Sequence, residues 1–83
     1  MSDVDVRNLP VTLQIGKRGV TEGLLKEIDL QLKKRRFVKI KLLRSFAEEV
    51  GRKEAAEDLA QKTQSIIVAF KGFILVLFRG NVR

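Results

Sequence analysis

Four consecutive residues, Gly16-Lys17-Arg18-Gly19, carry the clearest chemistry in the chain. Glycine at each end removes the side chain that would block a close approach. The four stand where a strand gives way to a helix, so backbone N–H groups and the positive end of the helix dipole can meet one anion. Lys17 and Arg18 add two mobile cations, and an arginine can hold a phosphate through two parallel hydrogen bonds. The chemistry implied is the gripping of phosphate. Glu22 works against a deep cradle, because a carboxylate in the first helical turn competes for the same field. Glycines at such a junction also serve simply to make the turn, so the four residues alone are a short signal.

The distribution of charge points the same way. Of the 83 residues, 17 are Lys or Arg and 10 are Asp or Glu, a formal charge of +7. Between Leu30 and Ala47 there is no acid, and seven bases fall there: Lys33, Lys34, Arg35, Arg36, Lys39, Lys41 and Arg44. The rest of the chain is neutral. A local positive field draws in polyanions, nucleic acid above all, although a solvated surface that keeps a small protein soluble uses the same residue types. The candidate contacts are therefore Gly16, Lys17, Arg18 and Gly19, extended by Lys33, Lys34, Arg35, Lys39, Lys41 and Arg44. With no Tyr or Trp to stack on bases, recognition is expected through the backbone and the shape of the nucleic acid.

Other functions find little support. Without Cys or His the chain lacks the thiolate and imidazole ligands of structural zinc, and it lacks the commonest general base and nucleophile. Glu57 and Asp58 read as solvated helix charges. No enzyme activity, cofactor or metal is expected. Met1 to Leu9 has no apolar run of signal-peptide length. The apolar runs Ile66 to Phe70 and Phe73 to Phe78 are far shorter than the roughly 20 residues that span a bilayer. The expectation is a cytoplasmic protein without membrane association. The length suits one domain over residues 1–83, with 1–9 as a flexible or partly ordered lead.

Periodicity supplies the elements that must position these groups. Val11, Leu13 and Ile15 alternate with polar residues, predicting a strand that starts just after Pro10. Leu24, Leu25, Ile28 and Leu32 fall within an arc of about 100°, predicting a helix to about Arg35, with Thr21 as N-cap and Leu30 off the buried face. Val38, Ile40 and Leu42 alternate with Lys39 and Lys41 in a second strand. Ser45 and Glu48 match a capping box at the head of a second helix. That helix loses register near Gly51, where a break is expected: Phe46 and Val50 lie on one side, Ala56, Leu59, Ala60 and Thr63 on another. The last two apolar runs pair as a hairpin about Lys71-Gly72. The order β-α-β-α-β-β predicts an α/β two-layer sandwich, a four-stranded mixed sheet with both helices on one face. The last strand is apolar on both faces, so its second face calls for a cover: the N-terminal Val4, Val6 and Leu9, a second copy in a homodimer, or another partner.

The run Ile15-Gly16-Lys17-Arg18-Gly19-Val20-Thr21-Glu22-Gly23, with Phe37-Val38-Lys39-Ile40-Lys41 and Leu75-Val76-Leu77-Phe78-Arg79, resembles the CRM domain, the chloroplast RNA splicing and ribosome maturation domain that stands alone in the YhbY family. The resemblance covers about Leu9 to Arg79. It implies a fold similar to the C-terminal domain of translation initiation factor 3, and RNA contact by Gly16 to Gly19, similar to the loop of KH domains that clamps a nucleic-acid backbone. It also implies association with ribosomal RNA during assembly of the large subunit. Three features depart from the family pattern. The chain is short for the extra first helix common in the family, Thr63-Gln64 stands where Thr-Gly is usual, and Phe78 stands where Tyr is usual. An Alba-like protein coating nucleic acid in chromatin is the alternative, with a similar opening at Ile15-Gly16-Lys17.

Overall fold

A computed structural model gives the fold and describes residues 11–80, apart from the side chain of Glu49. The elements are β1 (Leu13–Ile15), α1 (Glu22–Arg35), β2 (Phe37–Leu42), α2 (Arg44–Val50), α3 (Arg52–Lys62), β3 (Ile66–Lys71) and β4 (Ile74–Phe78). The sheet order is β1-β2-β4-β3, with β1 parallel to β2 and the other two pairs antiparallel. This is the mixed α/β sheet that the alternation of periods predicts.

Local signals explain most of the boundaries. Thr21 is extended and its hydroxyl accepts from the Leu24 N–H at 3.1 Å, so α1 starts where the N-cap placed it. Glu22 in the first turn and Lys33 to Arg35 in the last complement the helix dipole. The helix buries Ile28 and Leu32 and leaves Leu30 exposed. It ends at Arg36, whose φ of 70° turns the chain sharply into β2.

Val38, Ile40 and Leu42 of β2 face the helices, together with Leu75 and Leu77 of β4, which pair with Ile40 and Val38. Ile28, Leu32, Phe46, Ala47, Ala55, Ala56 and Leu59 close over them in one core, so all three helices cover one face. Burying each large aliphatic side chain there is worth about 1.5–3 kcal/mol. The break at Gly51 is real, and its φ of 97° separates α2 from α3.

Four details differ from the sequence expectation. Ser45 does not cap α2: the N-cap is Leu43, with no side-chain cap bond. The backbone leaves β2 directly into the helix, Leu43 giving its N–H to Ile15 O and taking that of Ala47, so Ser45 is already inside the first turn. Val50 does not share the buried side with Phe46; it is exposed, and Ala47 is the second buried residue of α2. The first strand begins at Leu13, leaving Val11 exposed, because ladder pairing with β2 starts only at Leu13 opposite Ile40. The hairpin loop is Gly72-Phe73, not Lys71-Gly72: Lys71 pairs with Ile74 as the last residue of β3. Gly72 has a φ of +60° and Phe73 none of that sign, the placement of glycine in a type II′ loop.

On the second face of the sheet stand Gln14, Phe37, Lys39, Lys41, Ile74, Val76 and Phe78, the residues that alternate with the core set. Val76 is buried there, and Phe37 and Phe78 set their rings 4.9 Å apart. Ile66 and Val68 are exposed on the edge strand β3. The N-terminal residues 1–9, named above as a lead segment and as one possible cover, lie outside the described residues.

Candidate nucleic-acid interface

The Gly16-Lys17-Arg18-Gly19 segment is a β-turn. Gly19 gives its N–H to Gly16 O at 2.8 Å, which places Lys17 and Arg18 at the two corners, both exposed. Gly19 sits at φ +71°, a region that costs other residues about 1–2 kcal/mol. Gly16 is close-packed instead of strained. A Cβ there would meet Leu43 Cδ1 at 2.9 Å, so the turn is pressed against the junction of β2 and α2. An open recess of about 360 Å³ lies beside it, lined by Gln14, Thr21 and Leu24 as well as the four turn residues.

The turn differs from a backbone cradle in one respect. The Gly19 N–H is spent on closing the turn and that of Leu24 on the Thr21 hydroxyl, so neither is available to an anion. What the turn presents is chiefly its two cations. Among the described residues, the ion pairs are Asp29–Lys33, Asp58–Lys62 and Asp29–Arg79, and none involves Lys17 or Arg18. A second open recess, lined by Val50, Glu54, Glu57, Asp58 and Gln61, carries the opposite charge and is unsuited to phosphate.

The basic strip of the sequence does not form one patch. Helix α1 has 14 residues and rises about 1.5 Å per residue, so Lys33, Lys34 and Arg35 stand about 17–20 Å along it from the turn at its head. Lys33 is also 3.4 Å from Asp29. Lys39 and Lys41 project from the second sheet face, Lys39 half-buried and Lys41 exposed opposite Gln14. Arg44 opens α2 on the residue after Leu43, whose side chain lies against Gly16.

Two arginines outside the candidate set prove to hold special positions. Arg52 reaches from the start of α3 to the hairpin loop, giving Nη1–H to Gly72 O at 2.6 Å, and its guanidinium lies 5.5 Å from the Phe73 ring centre and 5.8 Å from that of Phe70. Arg44 lies over the same Phe73 ring at 6.0 Å. Arg79 works at the other end of the sheet, bonded to Asp29 at 2.8 Å and to the Thr63 carbonyl. The Arg79 hydrogen bond holds the Asp29 carboxyl below its usual range, with Lys33 adding to the effect. Nothing in the spacing of Arg52 announces its place; only the packing of α3 against the hairpin does.

This loop-bearing sheet, with its matching segments in order, can be set against known proteins. The pattern that describes the CRS1 / YhbY (CRM) domain matches residues 4–79. The chain belongs to this family. Its CRM domain is 33% identical over 72 residues to "Probable RNA-binding protein MJ0652" of Methanocaldococcus jannaschii, an alignment that takes in 87% of this chain and 53% of that protein. The chain thus spans about half the length of the curated relative it matches. Among solved structures, the CRM domain matches the solution structure of the hypothetical protein SAV1595 of Staphylococcus aureus, a protein given a provisional RNA-binding assignment. The TM-score is 0.76 and the identity 32%, covering 94% of this chain and 79% of that one. Among the described residues, no helix is long and apolar enough to cross a membrane.

Proposed function

We propose that this CRM domain is an RNA-binding protein that grips the phosphate backbone with the Gly16–Gly19 turn, acting in the cytoplasm on ribosomal RNA during assembly of the large subunit. The observation that carries this reading is the turn itself, which exposes Lys17 and Arg18 at the head of α1 with no carboxylate partner among the described residues. Cations free of internal partners can neutralise phosphate without first breaking an ion pair. The relatives in M. jannaschii and S. aureus support the choice of RNA. The ribosomal target rests on the sequence resemblance to the maturation domains. Against the Alba-like alternative, the β3–β4 loop has only two residues, too short for a long protruding hairpin.

The direct test is a filter-binding titration of a labelled RNA stem-loop against the wild type and the Lys17→Ala/Arg18→Ala variant. The variant should keep its melting temperature and bind far more weakly, with a shallower dependence on salt because fewer counterions are released. Unchanged affinity in the folded variant would remove the turn from the site. Crosslinking in cells followed by sequencing of the bound RNA addresses the target, and recovery of RNA other than that of the large subunit would refute the ribosomal part.

A further inference from the structure

We propose that Arg44 and Arg52, gathered over the ring of Phe73, bind a second phosphate of the strand seated on the Gly16–Gly19 turn, so that the RNA runs from the turn to the β3–β4 hairpin tip. This deepens the RNA-binding reading and rests on it.

Position comes first. Consecutive residues at the end of β2 join the two places: Leu43 gives its N–H to Ile15 O, just before the turn, and Leu42 gives its N–H to Phe73 O in the hairpin loop, at 2.8 and 2.7 Å. The turn and the hairpin tip thus flank β2 at the same end of the sheet. Two strand spacings separate them, about 10 Å, which suits phosphates a step or two apart on one strand.

Charge comes second. Two guanidinium groups lie over one aromatic ring, at 5.5 and 6.0 Å from its centre, and no ion pair among the described residues involves either. Attraction to a ring face is modest at an exposed site and leaves each guanidinium's charge uncompensated. Phosphate matches the fork of a guanidinium.

Order comes third. The Arg52 bond to Gly72 O fixes one edge of its fork before any ligand arrives, so less rotamer freedom is lost on binding. Gly72 itself has no heavy atom within 4 Å of where a Cβ would stand, which leaves the approach clear. A strand on this path leaves Lys33, Lys34 and Arg35 untouched at the other end of α1.

Fluorescence anisotropy on the full chain, with the same labelled RNA stem-loop and a potassium chloride series, tests the path. Arg44→Ala should weaken binding about fivefold to tenfold, and Arg44→Ala/Arg52→Ala more, with the slope of log affinity against log salt reduced by about one. Because Arg52 also ties α3 to the hairpin, the double variant could lose its fold, which circular dichroism would reveal. Arg44→Ala then carries the test alone, since among the described residues Arg44 makes no side-chain hydrogen bond or ion pair, only the contact with the Phe73 ring. Should Arg44→Ala bind with unchanged affinity and slope while Lys17→Ala/Arg18→Ala loses the RNA, the path is wrong and the arginines are structural. If the turn variant also binds like the wild type, the RNA-binding turn itself fails, a result distinguishable from failure of the path.

Discussion

Where β2 begins, Arg79 and Lys33 meet the Asp29 carboxylate at 2.8 and 3.4 Å, and Arg79 also donates to the Thr63 carbonyl. Where β2 ends, Lys17, Arg18, Arg44 and Arg52 meet no carboxylate among the described residues. The first end pairs two of its cations, Lys33 and Arg79, and leaves Lys34, Arg35 and Arg36 without an ion pair among the described residues, whereas the second end pairs none. Paired charge joins elements: Arg79 clamps the end of β4 to α1 and to the end of α3. Unpaired charge stays open to solvent. A count of lysines and arginines cannot tell these apart, and the basic strip from Lys33 to Arg44 crosses from one regime to the other.

The largest expected effect separates the two ends directly. Lys17→Ala/Arg18→Ala should lose about 2–3 kcal/mol of RNA binding, roughly a hundredfold, for two charge-assisted contacts. Lys33→Ala/Lys34→Ala/Arg35→Ala should lose less than about threefold near 0.1 M salt, because those charges stand about 17–20 Å along α1 from the turn and the Debye length is about 10 Å. Equal losses in a side-by-side titration would erase the distinction between the ends.

Next in size is a loss of stability. Arg79→Ala should lower the free energy of unfolding by about 2 kcal/mol, through the lost bond to Thr63 and the packing of its stem, while the folded fraction keeps its RNA affinity. Urea denaturation and binding measured on the same sample decide this. A variant that melts normally but binds poorly would move Arg79 from the clamp to the interface.

A smaller, paired effect concerns backbone strain. Both ends need a residue in the left-handed region: the turn end has Gly19 at φ +71°, and the far end has Gln64 at φ +53°. Gln64 closes α3 in a Schellman motif, in which the Ser65 N–H bonds to Ala60 O and that of Gln64 to Gln61 O, a place where glycine is usual. Gly19→Ala should therefore destabilise by about 1 kcal/mol, and Gln64→Gly should stabilise by about as much. Thermal melts of the two variants should move in opposite directions.

The smallest effect is in pH. Asp29 is held below its usual pKa by Arg79 and Lys33, so it contributes stability that is present above its unfolded value and lost as pH falls through its folded value. Asp29→Asn removes that contribution. The stability gap between wild type and variant should be constant at neutral pH and shrink in acid, and a gap that widens in acid would contradict the pairing.

Much of the fold was legible because it rests on periodicity and caps. Val38, Ile40 and Leu42 alternate, Thr21 caps α1, and Gly51 breaks the second helix, each through interactions within a few residues. Ser45 misled for an equally physical reason: a capping pattern four residues long was overruled by the bond from Leu43 to Ile15, which set the start of α2 from another strand. The candidate turn was likewise readable, since glycine spacing and adjacent cations are local facts.

Sequence alone determined that there would be a strand-turn-helix bearing Lys17 and Arg18, a mixed sheet, and an excess of positive charge. The tertiary structure alone decided which charges are paired and which stand together. Arg52 is separated from Phe73 by 20 intervening residues, and Asp29 from Arg79 by 49. Electrostatic energy depends on distance through space, and that distance is set by which helix packs on which strand, so the role of each cation is fixed only when the core closes.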